Sequence, residues 1–175
     1  SLQALQIAEE ISDLRNICHD SRVLGQVYAE TKSRNKQEDY LKKALEVSEK
    51  LKDEVEQRID HRSLGELCLS RGYKERSANH FKAALAISTK QADKKEISAD
   101  YRHMGNLSFN NGSRDEAEKY YLDALNLALE VSDHNGAAQD YTYIGNLKFK
   151  SGQMDEAEIN FDKAVDYFKN AGNRP

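Results

Sequence analysis

The chain has 175 residues and a formal net charge of −4, from 26 Lys and Arg against 30 Asp and Glu. This balance argues against a general nucleic-acid-binding protein, which needs a strongly basic surface. Apolar residues make up 38% and charged residues 32% of the sequence, which is too polar for one compact core.

The only proline is Pro175, so nothing before it forces a helix to end. Apolar residues follow the i, i+3, i+4 spacing of amphipathic helices. The first predicted helix covers residues 1–12. Eight more are predicted at 17–31, 35–52, 54–71, 74–92, 94–110, 114–132, 135–150 and 154–171.

A 40-residue period organises these helices. It carries Gly25, Gly65, Gly105 and Gly145, then Ala4, Ala44, Ala84, Ala124 and Ala164, and Asp13, Asp53, Asp93 and Asp133. Self-similarity at a fixed period indicates a repeat architecture. We therefore predict the second half of a truncated repeat at 1–17, followed by four repeats at 18–57, 58–97, 98–137 and 138–175.

The periodic residues have predictable local roles. Gly72, Gly112 and Gly152 are predicted to turn the chain between the two helices of a repeat, where a positive φ suits glycine. Gly105 lies inside a helix, which indicates close approach of the partner helix opposite the small residue Ala124. Each periodic aspartate is predicted to cap the N-terminus of the next helix. The set is Asp13, Asp53, Asp93 and Asp133.

The pattern resembles a known family. Residues 98–131 are similar to the tetratricopeptide repeat through Tyr101, Met104, Gly105, Ser108, Gly112, Ala117, Tyr121 and Ala124. Residues 18–51 depart most, with Lys32, Gln37 and Leu41 in place of the turn glycine, an alanine and an aromatic residue. The resemblance implies an all-α, right-handed superhelical solenoid of antiparallel helix pairs. The 40-residue period, with Gly105-Asn106 and Gly145-Asn146, further resembles Leu-Gly-Asn or Pins-type adaptor arrays.

The resemblance also implies which residues face a concave groove. The candidate peptide-binding residues are Arg22, Gln26, Arg62, Glu66, Arg102, Asn106, Phe109, Asn110, Asn146, Phe149 and Lys150. His19, Ala29, Glu30, Ile59, Leu69, Ser70, Ala99, Gln139 and Thr142 occupy the remaining groove positions. Arg22, Arg62 and Arg102 share one repeat position and form a predicted arginine ladder, which Thr142 ends.

The groove residues favour a partner segment that is acidic and extended or partly helical. Guanidinium groups of the arginine ladder would bind carboxylates, Asn106 and Asn146 would hold a peptide backbone, and the two phenylalanines would contact apolar side chains. The alternative is that the arginines are solvated or paired with Glu30 and Glu66 and that Phe109 and Phe149 are packing residues.

Three functions stay open at this stage. The first is an adaptor that binds a partner protein in the groove. The second is a structural or oligomerising segment, since both ends of the array carry apolar residues without a predicted cover. These are Leu2, Leu5, Ile7 and Ile11 at one end and Val165, Tyr167 and Phe168 at the other. They indicate either neighbouring repeats in a longer array or end-to-end self-association. The third is a peptide-sensing domain of a larger regulatory protein.

No catalytic or cofactor motif is present, so we predict neither an enzyme nor a cofactor. The five histidines form no i, i+4 pair with another metal ligand, and no metal site is predicted. No apolar run reaches the roughly 18 residues of a membrane helix, and the first residues lack a signal-peptide pattern. Cys18 and Cys68 form no disulfide framework and are predicted to be buried, unreactive thiols, which favours the cytoplasm.

Overall fold

The computed structural model describes the backbone of residues 2–31 and 33–172 and the side chains of residues 10–31, 33 and 35–172. All regular elements in these ranges are α-helices, which confirms the predicted all-α, tetratricopeptide-like solenoid. They are α1 (Leu2–Glu30), α2 (Arg34–Leu51), α3 (Glu54–Ser70), α4 (Lys74–Gln91), α5 (Lys94–Asn110), α6 (Arg114–Glu130), α7 (His134–Lys150) and α8 (Met154–Gly172). The helices form two compact units, unit 1 (Ser1–Ile87) and unit 2 (Ser88–Pro175).

The first helix is longer than predicted. The separate helices at 1–12 and 17–31 are wrong, because α1 continues from Leu2 to Glu30. At the equivalent junctions, Lys52, Ala92 and Ser132 adopt positive φ values of 54°, 53° and 56°. Ser12 keeps a helical backbone instead, so it avoids the energetic cost of a left-handed L-residue. Asp13 consequently lies inside α1 and is not an N-cap.

The other three periodic aspartates cap helices as predicted. The side chain of Asp53 accepts a hydrogen bond from the backbone N–H of Glu56 at 3.3 Å. Asp93 accepts one from Glu96 at 3.2 Å. Asp133 accepts one from Gly136 at 3.1 Å. Each cap satisfies a backbone donor that has no partner within the helix.

The predicted turn glycines are also confirmed. Gly72, Gly112 and Gly152 have φ values of 77°, 83° and 80°, which only glycine adopts readily. Each ends the first helix of a pair and lets the chain reverse. The corresponding residue of the first pair, Lys32, lies outside the described residues.

Glycines inside the helices make room for a side chain of the partner helix. A Cβ atom added to Gly105 would lie 2.5 Å from the ring of Tyr121, and one added to Gly145 would lie 2.6 Å from the ring of Phe161. The predicted close approach is therefore confirmed, but its partner is corrected. The ring of Tyr121, and not the small residue Ala124, occupies the space that Gly105 leaves.

Each unit has its own apolar core. In unit 1, one cluster contains Cys18, Ala44 and Val47, and a second contains Leu41, Leu64 and Leu67. The unit 2 cluster is built from residues of α6 and α7, namely Ala117, Tyr121, Leu125, Ala128, Ala137, Ile144 and Leu147. Unit 2 thus buries the aromatic ring at the glycine contact, whereas the first helix pair of unit 1 buries an aliphatic side chain there.

Apolar side chains are exposed near both ends of the array. The predicted exposed residues Leu2, Leu5 and Ile7 lie outside the described side chains. Ile11 is 40% exposed. On α8, Val165 and Phe168 are 49% and 47% exposed. Tyr167 instead packs against the core cluster of unit 2, so the prediction that it is uncovered is wrong. In the described ranges, no helix combines the length and the apolar character needed to cross a lipid bilayer.

Candidate binding surfaces

The first residue of the arginine ladder has partners within the chain. Arg22 Nε donates a hydrogen bond to Asp60 Oδ1 at 2.9 Å, and Nη2 forms an ion pair with Glu56. Asp60 is fully buried, and the Arg22 side chain is only 13% exposed. Burial raises the pKa of the Asp60 carboxyl, and Arg22 opposes that rise. Arg22 therefore compensates a buried charge on the next repeat.

The same arrangement recurs in unit 2. Arg102 donates from Nε to Asp140 Oδ1 at 2.6 Å and from Nη2 to Asp140 Oδ2 at 3.1 Å. This is a bidentate pair, the strongest geometry between a guanidinium and a carboxylate. Burial raises the pKa of Asp140 to about 6, with Arg102 again opposing the rise. Nη2 also lies 3.4 Å from the Gly136 carbonyl oxygen, which accepts from it.

These contacts correct the predicted role of two ladder residues. Arg22 and Arg102 do not present free guanidinium groups to a ligand, and their partners are not Glu30 or Glu66. Arg62 is partly buried and engaged in an interaction of its own. Thr142, which ends the ladder, donates its hydroxyl to the Ala138 carbonyl at 2.8 Å.

Sequence reasoning missed three buried aspartates, two of which accept hydrogen bonds from these arginines. Asp60, Asp100 and Asp140 are fully buried and themselves recur at the 40-residue period. The Ser88 hydroxyl donates to Asp100. An acidic residue at a repeated position on the apolar face of a helix was the available signal, since a buried carboxylate needs a charged or hydrogen-bonding partner.

The predicted asparagine contacts differ between the two repeats of unit 2. Asn106 Oδ1 accepts a hydrogen bond from the Tyr121 hydroxyl at 2.7 Å, and the Asn106 carbonyl accepts from Asn110 Nδ2 at 2.8 Å. Burial raises the pKa of Tyr121, so the hydroxyl stays protonated and donates. Asn146 is exposed and faces no such hydroxyl, because Phe161 stands where the earlier repeat has Tyr121.

The two predicted aromatic contacts are also unequal. Phe109 packs against the core cluster of unit 2. Phe149 is 50% exposed, near the C-terminal end of α7, and Lys150 beside it is exposed as well. Phe149 is therefore available to a ligand, whereas much of Phe109 belongs to the core.

Unit 1 contains an open cleft of about 660 Å³. Its walls come from α1, α2 and α3 and include the predicted groove residues Gln26 and Glu66. The complete lining is Gly25, Gln26, Ala29, Glu30, Gln37, Leu41, Ser63, Glu66, Leu67, Ser70 and Arg71. The lining thus combines amide, hydroxyl and charged groups with the apolar side chains of Leu41 and Leu67.

The charge of this cleft is set by three acidic residues. Partial desolvation raises the pKa of Glu66, and Arg62 opposes that rise. Glu38, next to the cleft, forms an ion pair with Arg71 and with Lys42 and Arg76, each at 2.8 Å. Hydrogen bonds from Lys42 and Arg76 lower the pKa of Glu38 to about 2. Because Glu38 pairs with Arg71 and Arg62 lies near Glu66, the cleft has no excess of positive charge.

The cysteines fit the predicted structural role. Cys18 and Cys68 are both free and buried. Burial raises the pKa of the Cys18 thiol to about 11, with nearby Asp60 adding to the rise, so the reactive thiolate is scarce at neutral pH. Within the described part of the chain, no group of three or more His, Cys, Asp or Glu side chains is arranged to hold a metal ion.

Solved structures share this fold at low sequence identity. A Rap protein complexed with Competence and Sporulation Factor is 19% identical with a TM-score of 0.80, over 94% of this chain and 45% of that chain. BtubC from P. vanneervenii is 17% identical with a TM-score of 0.75, over 95% and 72%. Aspartyl phosphate phosphatase F from Bacillus subtilis is 18% identical with a TM-score of 0.76, over 89% and 41%. The chain thus spans less than half the length of the Rap protein and the phosphatase.

Sequence models of one family match both units. A tetratricopeptide repeat model matches residues 96–170, and a second tetratricopeptide repeat model matches residues 23–51. No curated protein sequence matches the chain significantly. The finer resemblance to Leu-Gly-Asn or Pins-type arrays stays a prediction. With its paired helices, glycine-to-ring contacts and turn glycines, the chain belongs to the tetratricopeptide repeat family of protein–protein interaction scaffolds.

Proposed function

We propose that the chain is an adaptor that binds an extended segment of a partner protein in the cleft of unit 1. The observation that carries this proposal is the coincidence of that cleft with predicted groove residues. Gln26 and Glu66 line it, together with Ala29, Glu30 and Ser70 from the same set of groove positions. The proposed role is binding and not catalysis, and its proposed setting is the cytoplasm.

The residues of the cleft are better suited to bind the backbone of a partner peptide than to bind acidic side chains. Gln26 and Gln37 supply amide groups that can donate to and accept from a peptide backbone. The hydroxyls of Ser63 and Ser70 donate to the Ile59 and Leu67 carbonyls at 3.0 and 2.8 Å, so towards a peptide they act as acceptors. Leu41 and Leu67 supply an apolar floor. An extended segment satisfies both, because its backbone groups are free and its side chains alternate in direction.

The charge of the segment is the finer part of the proposal. The predicted acidic segment depended on free guanidinium groups, and Arg22 and Arg102 are engaged within the chain. In unit 1, exposed Glu30 in the wall of the cleft favours a segment that carries a basic side chain. In unit 2, exposed Lys150 beside Phe149 and Asn146 supports the acidic version.

A substitution that fills the cleft tests the adaptor role. Ala29 lines the cleft and is exposed, so Ala29→Trp should block partner capture from native lysate without disturbing the core. The matched control is Ala86→Trp, an exposed alanine on α4 outside the cleft. Equal capture by both variants, with unchanged helical circular dichroism, would reject the cleft as the binding site. Arg22→Glu is unsuitable, because it breaks the pair with Asp60.

Charge variants then distinguish the two kinds of segment. Glu30→Gln should weaken binding of a basic segment, and Lys150→Gln should weaken binding of an acidic one. Both effects should shrink as salt is added, since exposed charges are screened. If the affinity for the captured partner is unchanged by both substitutions and by the salt concentration, charge does not determine which segment is bound.

A structural or oligomerising role is the second candidate, and the outer face of α8 favours it. Val165 and Phe168 are 49% and 47% exposed there. The equivalent positions on α6 are Leu125 and Ala128, which are buried in the unit 2 core. An apolar face that is covered on one helix and open on another supports association through α8.

A further inference from the structure

Two histidines meet across the α3–α4 helix pair of unit 1. Nδ1 of His61 lies 3.1 Å from Nδ1 of His80, and the ring centroids are 5.4 Å apart with the planes tilted by 42°. These two distances place both Nδ1 atoms close to the line that joins the rings. The nitrogens therefore meet head to head, which suits a hydrogen bond but not two ligands that converge on one metal ion.

This geometry has room for a single proton between the rings. When both rings are neutral, one Nδ1 carries hydrogen and donates it to the other. A proton added to the donor ring enters at Nε2 and preserves the bond. A second proton must then enter at Nδ1 of the acceptor ring, which sets two N–H groups and two positive charges against each other.

The surroundings add to this sensitivity. Burial lowers the pKa of His61, with Glu49 and Asp60 opposing the effect. Burial also lowers the pKa of His80, and the His61, Arg76 and Lys42 charges lower it further, while Glu38 opposes them. The charged groups that face the pair thus lie on α2, α3 and α4. They favour the first proton on His61, beside the carboxylates, and resist a second one on His80.

The repeat itself provides a comparison. One period later, the equivalent positions carry Tyr101 and Tyr120, whose rings pack with centroids 6.0 Å apart and a tilt of 32°. Two phenols fill the same place in unit 2 and do not take up a proton in mild acid. Aromatic packing is therefore common to the two helix pairs, whereas the shared proton belongs to α3 and α4 alone among them.

We infer that the His61–His80 pair is a pH-sensitive contact that loosens the packing of α3 against α4 when the medium becomes mildly acidic. The sign follows from linkage, because the folded state takes up protons less readily than the unfolded state. The stabilising contribution is complete above the ordinary histidine pKa of 6.5 and is lost as the pH falls below it. This inference does not depend on the proposed binding function.

The double variant His61→Tyr/His80→Tyr tests the inference, since it copies the pair in unit 2. Thermal unfolding of the full chain is measured between about pH 7.5 and about pH 5.5, the range in which histidine titrates. The midpoint of the wild type should fall by several degrees more than that of the variant. A parallel fall in both proteins would overturn the inference.

A second measurement on the wild type covers the case in which the variant does not fold. The ring-proton resonances of His61 and His80 are followed by NMR over the same pH range. Coupled titration of the two rings below the ordinary histidine range supports the shared proton. Two independent curves at the ordinary pKa would overturn it.

Discussion

Buried aspartates are the residues on which the packing of successive repeats depends. Asp60 and Asp140 are fully buried, and burial raises the pKa of both carboxyls. Each would be costly without its arginine, because an uncompensated charge in the interior loses its hydration. Arg22 and Arg102 supply the partner that each carboxylate needs. Their recurrence at the same repeat position is therefore explained by their contribution to the stability of the fold.

Removing one of these carboxylates should therefore strongly destabilise the folded state. We expect Asp140→Ala to lower the free energy of unfolding by about 3–5 kcal/mol, because it leaves Arg102 largely buried without its partner. Urea denaturation measures the loss. Asp162→Ala, at an exposed position on α8, is the control and should change stability by less than about 0.5 kcal/mol. A similar small effect at both positions would show that the ion pair contributes little.

Glu38 gives unit 1 a predictable response to acid. Its pKa is lowered to about 2 from an ordinary value of 4.5, so its contribution is complete above pH 4.5 and is lost as the pH falls towards 2. With allowance for solvent screening, we expect about 1–2 kcal/mol. Glu38→Gln should remove this part of the acid dependence in denaturation curves recorded at several pH values. An unchanged slope between wild type and variant would contradict the assignment.

At the level of the helix, the contact between glycine and ring fixes how the two helices of a pair approach each other. Tyr121 and Phe161 lie over Gly105 and Gly145. A larger residue would push the ring out of a packed core, and proteins tolerate such overpacking poorly. The glycine thus lowers helix propensity but permits close packing.

Gly105→Ala tests this balance. Alanine gains about 1 kcal/mol of helix propensity over glycine, yet its Cβ would lie 2.5 Å from the Tyr121 ring. We expect a net loss of about 1–3 kcal/mol, measured by urea denaturation. Gly172→Ala is the control, because an added Cβ there meets nothing within 4 Å. If both variants are more stable than the wild type, the Tyr121 ring can move aside without loss of packing, and the contact with Gly105 does not require glycine.

Much of this level could be predicted from the sequence, because capping and turn chemistry are local. Asp53, Asp93 and Asp133 cap helices and Gly72 turns the chain as their residue types require. The continuity of α1 could not be predicted. Ser12 keeps a helical backbone, whereas the serine at the equivalent position, Ser132, has a φ of 56°, so the residue type does not decide whether the helix ends.

For the whole molecule, the sequence period predicted the fold better than the surface. A period determines which helices stack, but the solvent exposure of a side chain depends on residues almost one full period away. Arg22 was predicted to face a ligand because Asp60, 38 residues later, was not recognised as its partner. Gln26 and Glu66, which their repeat positions predicted to face the groove, line the cleft of unit 1.

Association through α8 is a prediction for the whole molecule. If the exposed face of α8 joins two chains, Phe168→Ser should convert the assembly to monomers in sedimentation velocity experiments. Serine is the fully buried residue at the equivalent positions Ser48 and Ser88, so the helix itself should persist. Leu122→Ser, at an exposed apolar position on α6, should leave the sedimentation unchanged. A wild type that is monomeric at high concentration would exclude this mode of association.

The arginine–aspartate pairs also constrain how such an array can evolve. Arg22 with Asp60 and Arg102 with Asp140 each join one repeat to the next over 38 residues. The repeats at 58–97 and 98–137 each carry both residue types, as Asp60 with Arg62 and Asp100 with Arg102, so duplication of either one adds an aspartate and an arginine together. Insertion or deletion of a single helix would separate a buried aspartate from its arginine, which would lower the free energy of unfolding by several kcal/mol. Gene lineages of this array should therefore change in length by whole repeats.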